Sequence, residues 1–502
     1  MEVLFALSEE SRQKVCREKA SWGIKTREGS IIEVEPDLRL MTSYVLLEQE
    51  SWFEDELSFV QKFVKKGMNC LDIGANHGVY TIIMGKEVGA NGKVWAFEPA
   101  TTPASYLLKS VKSNNLEGIV EICLCALSKE DGKATLHISP NSELNALGKA
   151  ENSSVFSEEV RLMTLDSLLP NFDEKIDFVK LDAEGEEINI LEGGGRFFRK
   201  HRPVVMFEIK HGNTYNLGLS EKLVSLGFQI FRLVPGLDAL VPVDIENEDE
   251  KDGFWLNFFA VPNEEISKLY SQGLLLSSVQ LQADSAEKQK TMSMESEFVL
   301  SRPLHTFSHF FKLQDFSESY FLFLGSKNND LSLRDRYSML NTSLGEVQKL
   351  SDFGSFMLRI KILKDLGFRS NALKILGRLI NGFKVDELNA VSPFPLFFED
   401  QNFRDPLPAH AHDFQRFLKS LMLESYERLS AFSGYFSREI SFSRVDSIVR
   451  KIGSNSLEMD RRWLLLAMLG NVNNIQISKK HRIFFPWGDH LNSDVWKKIL
   501  KN

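Results

Sequence analysis

The sequence predicts an α/β protein, with a mostly parallel sheet covered by helices and a mainly helical half after it. Three observations lead there. From Met68 to Pro262, short β-rich apolar runs alternate with stretches of helical period. One of these runs breaks into a glycine-punctuated turn just before a helix. After Pro262 the strand signals thin out and helical periodicity takes over. Strand, helix, strand in repetition builds βαβ units, whose crossovers cover both faces of a parallel sheet.

The elements follow in order. Gly23 to Leu47 carries alternating runs, SIIEVE and LRLMTSYVLL, which predict a small β-element within an N-terminal extension over 1–50. SWFEDELSFVQKFVKKG (51–67) predicts an amphipathic helix closing at Gly67. Strands are expected at NCLDIG (69–74), KVWAFEP (93–99), IVEICL (119–124), IDFVKLD (176–182), PVVMFEI (203–209) and FQIFRLV (228–234). Helical segments separate them over 79–87, 103–114 and 217–226. FWLNFFAVP (254–262) is the last strand, entered from the acidic loop IENEDEKDG (245–253). The α/β domain is expected over 51–262, and residues 1–262 are expected to fold as a unit.

Residues 263–502 are expected to be mainly helical. MLRIKILKDLGFRSNALKILGRLING (357–382) predicts two helices joined by a turn at Gly367, and SLEMDRRWLLLAMLG (456–470) another closed by glycine. No second copy recurs at a fixed period, so no repeat array is expected. Residues 280–296 are a polar linker candidate. The Phe-rich stretches 305–325 and 392–412 read as core packing, or as a docking surface for an apolar partner or acceptor.

Composition bounds the function. Of 502 residues, 43% are hydrophobic and 26% charged, which excludes a disordered, collagen-like or disulfide-stapled chain. No apolar run approaches the roughly 18 residues of a membrane-spanning helix. The short apolar run Val3 to Leu7 leads into charges, which is not the pattern of a secretory signal. Cys16, Cys70, Cys123 and Cys125 read as reduced thiols of a cytosolic protein. Up to Pro262 there are 28 basic and 42 acidic residues, and beyond it 32 and 27. An acidic α/β half argues against nucleic acid as a partner.

The chemistry concentrates in CLDIGANHGVYTIIM (70–84). A strand carrying Asp72 runs into a turn framed by Gly74 and Gly78, and a helix follows. Glycine there lets backbone approach a ligand closely. The spacing is G-x-x-x-G, which disfavours a dinucleotide site. The next strand ends in Glu98, an acidic side chain placed to take both ribose hydroxyls of a nucleoside.

With these residues the block resembles the class I S-adenosylmethionine-dependent methyltransferases, and within them the FkbM family. The matching features are WFEDE (52–56), DIGANHGVYT (72–81), FEP (97–99), ALS (126–128), TLDSLL (164–169), KLDAEGEEINILEG (180–193) and FEIKH (207–211). The resemblance covers roughly 50–262; His77 and Ala183 depart from the family's usual residues. It implies a Rossmann-like, seven-stranded, mostly parallel sheet with a reversed last hairpin. It also implies S-adenosylmethionine lying across the carboxyl ends of the first two strands. Carried over, Gly74, Asn76 and Gly78 frame the methionine part. Asp72 orients the turn or meets the cofactor amine, and Thr81 starts the following helix. Glu98 takes the ribose, Ala126 and Leu127 lie near the adenine, and Glu54 or Glu56 closes over the site.

Methyl transfer to a hydroxyl needs the nucleophile in line with the sulfonium methyl and a base for its proton. The candidate bases are the strand-end carboxylates Asp182, Glu184 and Glu208 and the imidazole of His211, which titrates naturally near neutrality. Each has a plainer reading. Asp182 suits a helix cap, Glu184 and Glu186 a loop brace, His211 the surface. Asp182 with Glu208 also suits Mg²⁺, but no third ligand is evident, so no metal is assigned. His410 and His412 lack a metal-ligand partner, and KKHR (479–482) reads as a solvated face.

The expected function is therefore S-adenosylmethionine-dependent methylation. By resemblance the acceptor is a hydroxyl of a sugar, glycan, glycolipid or polyketide-like metabolite. The helical half is open to a protein partner or an oligomer contact. The rival reading is a methyltransferase-like binding or scaffold module in a glycan-assembly complex, against which the intact Gly74, Gly78 and Glu98 speak.

Overall fold

The computed structural model describes residues 19–138, 146–147, 156–211, 214–215, 217–243, 251–282, 317–382, 411–470 and 491–499. Its largest sheet contains β3 (Asn69–Ile73), β4 (Lys93–Phe97), β5 (Val120–Cys123), β10 (Phe178–Leu181), β11 (Val204–Glu208), β14 (Phe228–Val234), β15 (Ala239–Pro242) and β16 (Asn257–Pro262). The strand order is β15-β14-β16-β11-β10-β3-β4-β5. β5, β4, β3, β10 and β11 run parallel. β16 is reversed and pairs antiparallel with β11 and β14. The reversal was expected. The strand count is eight rather than seven, because Ala239–Pro242, too short to stand out after its Pro235–Leu237 turn, adds a strand at the edge.

β3 is buried at all five positions, as a central parallel strand covered on both faces must be. The chain builds outward from β3 through β4 to β5, then returns to lay β10 and β11 on β3's other side. Ligands of open α/β sheets bind outside the carboxyl ends of the strands at such a switch point. There the sheet brings together Asp72, Glu98, Asp182 and Glu208.

Before the sheet the structure departs from expectation. β1 (Trp22–Lys25) and β2 (Ile31–Val34) form the expected antiparallel pair. LRLMTSYVLL does not join them, because Met41–Gln49 is a helix buried continuously from Thr42 to Glu48. A segment covered on every side leaves no half-buried face for the alternation of a strand to report. The following helix is also shorter than expected. It spans Glu56–Phe63, and Val64 is already extended, short of Gly67.

A second sheet, order β6-β9-β7-β8, was not anticipated. It contains β6 (Ala126–Leu127), β7 (Gly132–Ile138), β8 (Ala146–Leu147) and β9 (Phe156–Met163). β6 runs parallel to β9, and β7 antiparallel to β9 and β8. Leu136 and Ile138 point inward with Ala100, Ala126 and Val160, forming a small core beside the carboxyl end of β4. Thr164 caps the short helix that follows, accepting from Ser167 N at 3.0 Å.

The chain divides into two compact units. One comprises Met1–Arg232, Leu256–Ile266 and Trp487–Asn502, and the other Leu233–Trp255 and Ser267–Pro486. Within the first, Asn492 clamps β1 from the far end of the sequence. Its Oδ1 accepts from Lys25 N at 2.7 Å and its Nδ2 donates to Lys25 O at 2.9 Å. Leu491 N donates to Glu50 Oε1 at 3.1 Å, and Trp496 of helix Ser493–Ile499 is fully buried.

The second unit is mainly helical. Its helices include Glu318–Gly325, Leu333–Val347, Phe353–Asp365, Arg369–Gly382, Ala411–Ser430 and Leu457–Leu469. Four of them start on a side chain that accepts a backbone N–H three residues on, namely Ser317, Ser332, Asp352 and Ser456. The predicted turn between residues 357 and 382 is present, with Gly367 at φ +87°. Trp255 Nε1 donates to the Gly367 carbonyl at 2.9 Å. Most of the linker candidate 280–296 and most of the Phe-rich stretches lie outside the described residues. So do Cys16, His410, the side chain of His412 and 479–482.

Candidate active site

The turn after β3 is built from three left-handed residues, Gly74 at φ +79°, Asn76 at +47° and Gly78 at +90°. A Cβ at Gly74 would lie 1.8 Å from the Asp182 carbonyl oxygen, so the neighbouring strand end demands glycine there. At Gly78 a Cβ would meet Leu107 Cδ1 at 2.4 Å. Gly74 N and Ala75 N both donate to Phe97 O at 3.0 Å, tying the turn to β4. The left-handed Asn76 aims its N–H at Glu98 Oε2, 2.9 Å away, and Ala100 N donates to Glu98 Oε1 at 2.8 Å. Glu98 is 6% exposed, and burial raises its carboxyl to about 7 against those two hydrogen bonds. Each of its oxygens keeps a second lone pair for a ligand hydroxyl.

Asp72 is 1% exposed. Its Oδ2 accepts from Thr81 Oγ1 at 2.5 Å, while its Oδ1 has no hydrogen-bond partner. Thr81 sits inside helix Val79–Val88, whose cap is Gly78, and is fully buried. Ala126 and Leu127 belong to β6, both buried, opposite Leu162 and Met163 of β9.

Lys180 joins these groups, a residue to which the sequence reading gave no role. Its Nζ lies 2.8 Å from Asp182 Oδ2, donates to Gly74 O at 3.1 Å and stands 3.9 Å from Asp72 Oδ1. It also lies 5.6 Å from the centre of the Tyr80 ring. Burial opposes its charge, but the carboxylates of Asp182 and Asp72 prevail and raise its pKa. The signal was present in FVKLD. A lysine two residues before the strand-end Asp182 shares its face, because strand side chains alternate.

The remaining carboxylates close on the same place. Asp182, Glu187 and Glu208 each bring an oxygen within 4.8 Å of the other two, so Glu187 is the third carboxylate that the sequence did not reveal. Glu187 Oε1 accepts from Ala183 N at 2.8 Å and Gly185 N at 3.1 Å. Burial, then the charges of Asp182, Glu184, Glu187 and Glu54, raise Glu208 to about 10. Glu54 enters from the loop before helix Glu56–Phe63. Its Oε2 accepts from Tyr80 Oη at 2.6 Å and Asn257 Nδ2 at 3.3 Å. Glu186 instead braces the loop, accepting from Ser128 Oγ at 2.8 Å and Asn189 Nδ2 at 3.0 Å. His211, in β12 (Lys210–His211), pairs through its backbone with Thr214 of β13 (Thr214–Tyr215); its side chain lies outside the described residues.

His77 yields a stability prediction. It stacks on Tyr106, ring centres 5.5 Å apart, and burial pushes its pKa down to about 4. A histidine neutral in the fold but free to charge when unfolded costs stability as pH falls. The loss begins near the unfolded value of about 6.5 and is complete below the folded one. Up to about 3 kcal/mol should disappear between neutrality and the folded pKa. Urea unfolding across that range should show a shallower acid slope for His77→Gln, and an unchanged slope would remove His77 as the source.

The switch-point crevice, the glycine turn and the acidic end of β4 define the class: this is the Rossmann-like fold of the S-adenosylmethionine-dependent methyltransferases. The donor set fits that cofactor. Glu98 has acceptor capacity for a diol, Asp72 Oδ1 is a buried acceptor without a donor, and the strand-end carboxylates complement a sulfonium and an ammonium group. Residues 72–233 match the methyltransferase FkbM domain.

The chain is similar to Methyltransferase sdnD of Sordaria araneosa, 28% identical over 153 residues, which make up 24% of this chain and 59% of that protein. Among solved structures it is similar to methyltransferase FkbM from Methylobacillus flagellatus. That match is 17% identical with a TM-score of 0.29, over 42% of this chain and 48% of the other. An O-methyltransferase from Bacillus cereus in complex with SAH matches at 17% identity and TM-score 0.25, over 41% of this chain and 79% of its own. The chain thus spans less than two thirds of the curated relative and about half of the FkbM structure.

Proposed function

We propose that the protein is an O-methyltransferase acting on a hydroxyl of a sugar, glycan, glycolipid or polyketide-like metabolite, with residues 51–262 as its catalytic part. The observation that carries this reading is Asp182. Its side chain is 30% exposed at the carboxyl end of β10, and Lys180 engages Oδ2 at 2.8 Å. S-adenosylmethionine, when bound, supplies an electrophilic methyl group. The protein's own part is to hold the acceptor oxygen in line and remove its proton as the new bond forms. Asp182 Oδ1 takes that proton, Lys180 fixes the carboxylate, and Glu98 holds the ribose against the turn at Asn76. Glu54, anchored by Tyr80 and Asn257, walls the site on the N-terminal side. The acceptor class is what the resemblance to the FkbM family implies, and residues 72–233 match that family's methyltransferase domain. Among the described residues no helix is long and apolar enough to cross a membrane.

The test is to offer methyl-labelled cofactor to sugar nucleotides, lipid-linked glycans and polysaccharide extracts, and to identify the labelled product by mass spectrometry. Label in a base-stable ether supports the reading, and label on nitrogen or carbon overturns it. Glu98→Ala should weaken cofactor binding by about 1.5–3 kcal/mol, the range for hydrogen bonds to a charged group. Calorimetry on the folded variant checks this, and an unchanged Kd would take Glu98 out of the site.

A further inference from the structure

The small second sheet reaches the carboxyl end of β4 through one carboxylate. Along β9, Glu158, Val160 and Leu162 share a face, because strand side chains alternate. Val160 packs with Leu136, Ile138, Ala126 and Ala100, and Leu162 lies against the same small core. Glu158 is the polar residue of that face. Its Oε2 accepts from Thr101 N at 3.1 Å and from Thr101 Oγ1 at 2.9 Å. Thr101 opens helix Thr101–Ser113, whose cap residue, Ala100, has no side-chain oxygen to accept an N–H. Glu158 therefore supplies from another element what a capping side chain supplies within a helix, and its charge suits the positive end of the helix dipole. Glu159, on the opposite face, is exposed and pairs with Lys133.

The next N–H back along the chain belongs to the cofactor side. Ala100 N donates to Glu98 Oε1 at 2.8 Å, so the start of this helix is divided between two carboxylates. Holding Thr101 N fixes the planar Ala100–Thr101 peptide. Only the φ and ψ of Ala100 then separate that plane from the N–H that meets Glu98. Resting on the reading of Glu98 as the ribose ligand, we propose that Glu158 is a positioning residue for the cofactor: by holding Thr101 it sets the Ala100 N–H that orients Glu98, which makes the second sheet part of nucleoside recognition. The same strand pairs through Leu162 and Met163 with Ala126 and Leu127, the residues expected near the adenine. Glu158 acts through Glu98 and touches no ligand. The sulfur and amino-acid ends of the cofactor lie outside this relay, so its loss weakens S-adenosylmethionine and S-adenosylhomocysteine alike.

The experiment is a double-mutant cycle on the full chain, read by calorimetric titration with each of these two ligands. Glu158→Ala should weaken both by about fivefold, the ratio that one lost capping interaction supports. Glu158→Gln keeps an acceptor oxygen and should recover most of that affinity, and Glu159→Ala should bind as the wild type does. In a Glu98→Ala background, Glu158→Ala should cost nothing further, because the residue it orients is gone. A purely structural cap would weaken binding equally in both backgrounds, and that result overturns the proposal, as does wild-type affinity in Glu158→Ala. Should Glu158→Ala fail to fold, Thr101→Val removes the hydroxyl half of the contact and keeps the helix N–H; additivity with Glu98→Ala there overturns the proposal too. These outcomes defeat this inference alone. Failure of the wild type to bind either ligand, or unchanged affinity in Glu98→Ala, defeats the reading on which it rests.

Discussion

Lys180→Met should destabilise the protein by about 3–5 kcal/mol, the usual cost of removing one partner of a buried ion pair. Methionine fills nearly the same volume, so packing changes little and the loss is electrostatic. Asp72, 1% exposed and hydrogen-bonded through Oδ2 to Thr81, would lose the Lys180 charge that offsets its burial. Asp182 would lose its 2.8 Å partner, and the Gly74 carbonyl its 3.1 Å donor. The deficit should shrink as pH falls through the carboxylate range, since protonated carboxyls need no counter-charge, and it should return as pH rises. Adding Asp72→Asn to Lys180→Met should recover part of the loss. Urea unfolding at neutral and acid pH measures both effects. A cost under about 1 kcal/mol would place the ammonium among weakly coupled surface pairs.

Asp182→Asn should lower turnover by roughly 10²–10⁴-fold, the contribution of a general base, while cofactor affinity stays within a few-fold. The amide keeps the shape and one acceptor oxygen but cannot take the acceptor's proton. His211→Ala supplies the contrast, and a large loss there with a mild effect at Asp182 would transfer the role to the imidazole. The pH–rate profile separates the two independently. An imidazole base predicts activity rising through about pH 6.5, whereas an ordinary carboxylate base is ionised by about pH 4. Near wild-type turnover in both variants on a verified acceptor would mean that neither is the base.

The parallel strands were readable because a strand covered on both faces leaves an uninterrupted apolar run, as NCLDI and FVKL show. The glycine turn was readable because left-handed backbone restricts residue choice. The cause at Gly74 was not visible, since it depends on where the Asp182 carbonyl passes. Met41–Gln49 escaped because burial on all sides erases periodicity. The small sheet escaped although Leu136 and Ile138 alternate with exposed or half-exposed neighbours, because its strands pair across the stretch between ALS and TLDSLL. Lys180 and Glu187 are single residues within a motif that was recognised, and only the fold shows which carboxylates they meet. The return of residues 491–499 to β1 is a contact between segments far apart in the chain, to which local pattern is blind.

That return has a consequence for the order in which the protein can be made. The strand that Asn492 clamps emerges from the ribosome early, but its clamp follows only after Ser267–Pro486 has been translated. At 5–20 residues per second, that segment occupies the ribosome for on the order of ten to forty seconds. During this interval β1 must wait with the Lys25 partners on Asn492 unmade, and a chaperone or a neighbouring nascent chain would find it open. Slowing translation within Ser267–Pro486 would lengthen this vulnerable period without altering a single residue of the finished protein.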